Sequence, residues 1–125
     1  MNIEKVTDGE LHVLNALWAH EEMTASELVK QLAAAKNWNR NTTYTFVNRL
    51  VEKGIIRRTD PGFVCRALFT REQVTLSESK SFLAKMFNGS LNLMVANFID
   101  SENLSQSELD AISGLINKRR EAKHD

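Results

Sequence analysis

The hydrophobic period of this chain changes at Gly54, and few folds accommodate that change. Before it, Thr43, Phe46, Val47, Leu50 and Val51 recur at i, i+3, i+4, i+7 and i+8, which places them on one face of a helix. After it, Ile55 to Thr59 read as an extended run, Asp60-Pro61-Gly62 as a turn, and Phe63 through Phe69 as a second extended run. Gly54 suits the left-handed position just beyond a helix end, and Asn39 or Asn41 suits the N-cap at its start. The prediction is a helix followed directly by a two-stranded hairpin.

Two helices should precede it. Thr7-Asp8-Gly9-Glu10 has the form of a capping box, in which the Thr hydroxyl accepts the amide three residues on and the Glu reaches back. Leu11, Leu14, Leu17 and Trp18 then form one stripe, and the charged run His20, Glu21, Glu22 ends it. Thr24-Ala25-Ser26-Glu27 repeats the box, with Ala25, Leu28, Val29 and Leu32 as the stripe of a shorter helix ending near Ala35. Helix, short helix, polar-faced helix and hairpin in that order is the winged helix-turn-helix arrangement. The expected fold class is therefore mainly α with a small β-hairpin.

The chain carries no net charge, with 16 basic and 16 acidic residues, so it is not a generic polyanion binder. Its basic charge is local. Between Lys36 and Arg66 stand Lys36, Arg40, Arg49, Lys53, Arg57, Arg58 and Arg66, against Glu52 and Asp60. Opposite its apolar stripe the third helix displays Arg40, Asn41, Tyr44, Thr45, Asn48 and Arg49, with Thr42 beside them at the first turn. A solvated face usually carries Glu and Lys four apart, whereas this one offers amides, hydroxyls, an aromatic and no acid before Glu52. Such donors and acceptors can read base edges in a major groove that admits a helix, while Arg57, Arg58 or Arg66 on the hairpin can neutralise phosphates. Arg49 could instead pair with Glu52 at i+3. The reading requires the strip from Arg40 to Asn48 to point away from its own core.

Residues 72–125 read as a second region beside a winged-helix domain over residues 1–71. Thr75 and Ser77 lead into Phe82, Leu83, Met86 and Phe87, and Asn88-Gly89-Ser90 breaks the helix. Leu91, Met94, Val95, Phe98 and Ile99 form a second amphipathic helix, and a capping box from Ser105 to Glu108 precedes Leu109, Ile112, Leu115 and Ile116. Three short helices with this much apolar stripe suggest pairing with a second copy, or folding back on the first domain. A homodimer suits the DNA reading, because two-fold proteins meet palindromic sites.

Other classes find little support. The longest apolar runs are a few residues, so neither a membrane span nor a signal peptide is expected, and the cytoplasm is the expected location. His12, His20 and His124 are scattered and Cys65 is single, so no metal site, internal disulfide or other cofactor is implied. Cys65, on a hairpin strand, reads as a small core residue rather than a sensor. There is no nucleophile elbow or phosphate loop, and an enzyme is not expected. A winged helix that binds another protein is the competing reading, and steep salt dependence would mark DNA instead.

Four segments in order, "TDGELHVLNALW", "WNRNTTYTFVNRLVEKGIIRR", "FLAKMFNGSLNLMVANF" and "LSQSELDAISGLINK", resemble those of the penicillinase-repressor family over Thr7 to Lys118. The resemblance implies a transcriptional repressor that binds a double-stranded operator dyad through Arg40 to Asn48 and dimerises through its C-terminal helices. It further implies relief by proteolysis, triggered through a membrane sensor protease, at an Asn-Phe bond whose place Asn97 and Phe98 occupy. From the residues alone, Phe98 lies on the stripe and Asn97 off it, which equally describes an uncut interface helix. A copper-responsive branch of the family carries a cysteine-rich tail. This chain ends "INKRREAKHD", without cysteine, so copper-thiolate sensing is not expected.

Overall fold

A computed structural model describes residues 2–124; the side chain of His124, one of the scattered histidines, lies outside the described part. The elements run α1 (Asp8–His20), β1 (Glu22–Thr24), α2 (Ala25–Lys36), α3 (Arg40–Glu52), β2 (Ile56–Thr59), β3 (Val64–Ala67), α4 (Arg71–Phe87), α5 (Leu91–Ser101) and α6 (Gln106–His124). They fall into two compact units, Met1–Phe82 and Leu83–Asp125.

Local hydrogen bonds start the helices of the first unit where the capping boxes predict. The Thr7 hydroxyl accepts the Glu10 amide at 3.3 Å while the Thr7 amide donates to Glu10 Oε1 at 2.9 Å. Thr24 and Glu27 repeat the exchange at 3.1 and 2.9 Å. Asn39, not Asn41, caps α3, its Oδ1 accepting the Thr42 amide at 2.8 Å. Gly54 follows α3 with φ +73°, and since an added Cβ would meet nothing within 4 Å, the left-handed backbone alone selects glycine there. Gly9 is different: its Cβ would sit 2.3 Å from the Phe46 ring, so the missing side chain lets α3 press against α1.

The core joins all three helices to the hairpin. Val13, Leu14 and Leu17 of α1 meet Leu28 and Leu32 of α2, Val47 and Leu50 of α3, and Ile55, Ile56 and Cys65 beyond. Leu11, expected on the α1 stripe, is exposed instead, because the buried arc centres on Glu10, Leu14 and Leu17 and Leu11 lies about 100° around the helix from Glu10. Val13 takes its place. The helix α2 runs to Lys36, one residue past the expected end, and Asn37 closes it in left-handed conformation.

The hairpin gains a third strand. The antiparallel order is β1-β3-β2, with Met23 opposite Cys65 and Arg58 opposite Cys65 on the other side. Three residues are too few to show an alternation, and β1 exists because β3 supplies its partner, so the sequence pattern predicts only two strands.

The fourth helix begins earlier than Thr75 and Ser77 suggest. Thr70 and Gln73 form a further box at 2.9 and 3.1 Å, and α4 starts at Arg71. Val74 is buried, so the first turns of α4 belong to the winged unit. Within the second unit, Asn88 and Gly89 take positive φ as the expected break, Ser90 caps α5, and Ser105 with Glu108 caps α6. No residue of α5 is buried, and Phe98, Ile99, Leu115 and Ile116 are exposed.

Candidate nucleic-acid interface

Burial of Thr43, Val47 and Leu50 fixes the roll of α3 and turns its polar side outward. Arg40, Asn41, Thr45, Asn48 and Arg49 are exposed, and Thr42 and Tyr44 are half-buried. The amide side chain of Asn48 makes no hydrogen bond among the described residues. The Thr45 hydroxyl donates to the Asn41 carbonyl at 2.8 Å, and the Thr42 hydroxyl donates to Asn39 Oδ1 at 3.0 Å. Arg49 does not pair with Glu52; its guanidinium lies 5.6 Å from the Phe46 ring centre.

A stack of side chains joins α3 to the hairpin. Arg40 Nη2 donates to the Tyr44 hydroxyl at 3.2 Å and covers that ring, Tyr44 meets Phe63 edge-on at 5.6 Å, and Arg58 lies 3.6 Å over the other aromatic. Phe63 has φ +48°, rare for a bulky residue, and its carbonyl accepts the Ala25 amide at 2.9 Å, pinning the hairpin tip to the start of α2. It was not among the expected site residues, and no spacing rule singles it out.

The seven basic residues separate by their surroundings. Arg58 Nε is 3.0 Å from Asp60 and Arg66 3.1 Å from Glu22, exposed pairs each worth about 0–1 kcal/mol and therefore readily exchanged for a phosphate. Arg57 and Lys36 make no ion pair among the described residues. Lys53 leaves the candidate surface altogether. Its Nζ donates to Glu10 Oε1 at 2.6 Å and to the Lys5 carbonyl at 2.8 Å. Glu10 is fully buried: desolvation pushes its carboxyl up, but the hydrogen bonds from Lys53 and Thr7 together outweigh it and leave the pKa below the ordinary carboxylate value. No local pattern announces this pair, whose partners stand 43 residues apart.

Cys65 is fully buried, and burial pushes its thiol up to about 11 against a smaller opposing pull from Arg58. So protonated a thiol is a poor nucleophile, in keeping with a packing role. Among the described residues, no group of His, Cys, Asp and Glu could hold a metal ion, and no helix is long and apolar enough to cross a membrane.

The sequence profile of the family described as "Penicillinase repressor" matches residues 6–118. The chain belongs to the penicillinase repressor family. The penicillinase repressor of Bacillus licheniformis is 29% identical over 97% of this chain and 96% of its own length. The methicillin resistance regulatory protein MecI of Staphylococcus aureus strain N315 is 28% identical over 92% of this chain and 95% of its own. Among solved structures, the DNA-binding domain of the repressor BlaI is similar with a TM-score of 0.53 and 28% identity, covering 56% of this chain and 88% of that one. Monomeric Bacillus licheniformis BlaI in complex with the blaP half-operator is similar with a TM-score of 0.51 and 27% identity, covering 57% and 89%. These likenesses make the first unit a winged helix. The penicillinase repressor family is one of repressors, not of enzymes.

Proposed function

We propose that this chain is a dimeric repressor that reads an operator dyad, α3 entering the major groove of each half-site and the β2–β3 wing lying along the backbone. The observation that carries this reading is the outward strip of α3, where Arg40, Asn41, Thr42, Tyr44, Thr45, Asn48 and Arg49 sit opposite the buried Thr43, Val47 and Leu50. Its relative BlaI forms a complex with a half-operator as a monomer, and the winged unit here would bind a half-site through the outward strip of α3. Arg57 and Arg58 supply phosphate contacts from the wing. Arg58 would exchange Asp60 for phosphate.

Dimerisation follows from the second unit. Leu91, Met94, Val95, Phe98 and Ile99 of α5 and Leu109, Ile112, Leu115 and Ile116 of α6, with Phe82 and Met86 of α4, form apolar faces on which every one of these residues is half-buried or exposed. Pairing two copies through them gives the two-fold symmetry a dyad requires. Relief of repression would come from cleavage between Asn97 and Phe98 by a membrane sensor protease responding to an antibiotic or another signal. Both residues are exposed on a helix with no buried residue, the kind of segment that opens most readily to a protease. The setting is the cytoplasm.

Selection of duplexes from a random pool by the full chain, followed by binding titrations, tests the reading. A dyad should be recovered, its affinity should fall steeply with added salt, and Asn48→Ala or Arg40→Ala should lose about 1–3 kcal/mol of binding with the fold intact. Recovery of no preferred sequence, or equal affinity in both variants, would remove the assignment.

A further inference from the structure

Phe63 stands where arginines from two different elements meet. Tyr44 of α3 approaches its ring at 79° with the centres 5.6 Å apart, and Arg40, one helical turn earlier, lies 4.9 Å from the Tyr44 ring centre and donates from Nη2 to the Tyr44 hydroxyl at 3.2 Å. The Arg58 guanidinium of β2 lies 3.6 Å over the Phe63 ring. Arg40, Tyr44, Phe63 and Arg58 therefore form one row with a cation at each end.

The backbone holds the middle of that row in a conformation it resists. Phe63 has φ +48°, in the left-handed region that a bulky side chain enters only at a cost. Its carbonyl accepts from the amide of Ala25, the first residue of α2, at 2.9 Å. A ring kept at a position that glycine would occupy without strain points to a use for the ring. Core packing is part of that use, since Phe63 is half-buried and lies against the core cluster. Leucine would pack there too, but it has no π face to hold a guanidinium and no aromatic edge for Tyr44.

Both arginines keep donors in reserve. Arg40 spends Nη2 on the Tyr44 hydroxyl, and Arg58 spends Nε on Asp60 at 3.0 and 3.2 Å. Their other guanidinium nitrogens make no hydrogen bond among the described residues. A guanidinium is planar and carries its donors in that plane, so a ring that fixes the plane also fixes where the donors aim.

We propose that Phe63 is a positioning residue for half-site recognition, holding Arg58 for a phosphate and, through Tyr44, Arg40 for a base edge. The inference rests on the operator reading above and does not depend on pairing of two copies. The ring touches no DNA. It removes rotamer freedom from two long side chains before the duplex arrives, so less is lost on binding.

The test titrates the full chain at low salt against a single half-site duplex taken from the sequence that the unmodified protein selects. Phe63→Leu should bind roughly tenfold more weakly, the combined worth of ordering two arginine side chains at about threefold each. Made in an Arg58→Ala background, and separately in an Arg40→Ala background, the same substitution should cost only about threefold, because one of the side chains it orders is gone. Phe63→Tyr keeps the ring and should bind within about twofold of the parent. A role in packing alone would lower affinity by one factor in all three backgrounds. Equal factors, or a Tyr variant as weak as the Leu variant, would overturn the proposal. Phe63→Gly takes up the left-handed backbone freely and is the variant to carry through the same cycles if Phe63→Leu fails to fold. A selection that returns no preferred sequence removes the operator reading and this proposal with it; a preferred sequence with equal factors removes this proposal alone.

Discussion

The two units of this protein carry the same kind of apolar pattern and use it differently. In the winged unit, the stripes of α1, α2 and α3 close on each other and on the sheet, and Leu14, Leu28, Val47 and Leu50 are wholly buried. In the second unit, stripes of equal quality on α5 and α6 stay open, and Leu115 remains 70% exposed. The difference lies in what each unit has to close with. Three helices and a three-stranded sheet surround a common centre, whereas α5 and α6 follow a glycine break in a unit that holds no strand among the described residues. A helical stripe therefore announces that a face is to be covered; whether the cover comes from the same chain is a separate matter.

The largest effect that would sharpen this contrast is Leu50→Ala, expected to cost about 2–5 kcal/mol of unfolding free energy in urea, independent of protein concentration. Leu115→Ala should leave the winged unit's transition within about 0.5 kcal/mol of the parent, as an exposed position does. Similar costs from the two substitutions would erase the distinction between the units.

Next in size is Lys53→Met, which leaves Glu10 buried without its cation. We expect a loss of about 2 kcal/mol, less than for a fully buried pair because Lys53 keeps 22% of its side chain exposed. The pH dependence has a definite sign. Folding holds the Glu10 pKa below its ordinary value of about 4.5, so the folded state binds fewer protons there than the unfolded chain. That stabilisation is complete above the unfolded value and is lost as the pH falls through the folded one. Removing Lys53 should shrink this acid loss, which thermal melts of parent and variant across that range would register.

The smallest effect belongs to the open face. Phe98→Asp should weaken self-association roughly tenfold or more, read as a shift toward monomer in sedimentation, with the winged unit's stability unchanged. An unaltered dimer would mean that α5 is not the covered face.

The difference between legible and hidden features follows the range of the interactions. Thr7, Thr24, Asn39 and Ser105 announce helix starts because their hydrogen bonds span three residues. Thr70-Arg71-Glu72-Gln73 has the same form, yet a helix start read from the stripe at Phe82 falls several residues late. The outward strip of α3 was equally legible, since a 3.6-residue period fixes both faces at once. By contrast, β1 needs β3 beside it, Phe63 matters because Tyr44 and Arg58 lie against it, and Arg66 is held by a glutamate 44 residues away.

What the chain's order of residues determined on its own is where its capped helices begin, to within a residue or two, where its wing turns, and which face of α3 is polar. Those properties arise from hydrogen bonds a few residues long and from helical periodicity. Tertiary structure alone decided that Lys53 turns inward to a buried Glu10 while Arg57 stays free, and that Val6 and Glu78 join across 72 residues. Desolvation and pairing at long range depend on which distant side chains the fold brings together, and no local pattern encodes that proximity.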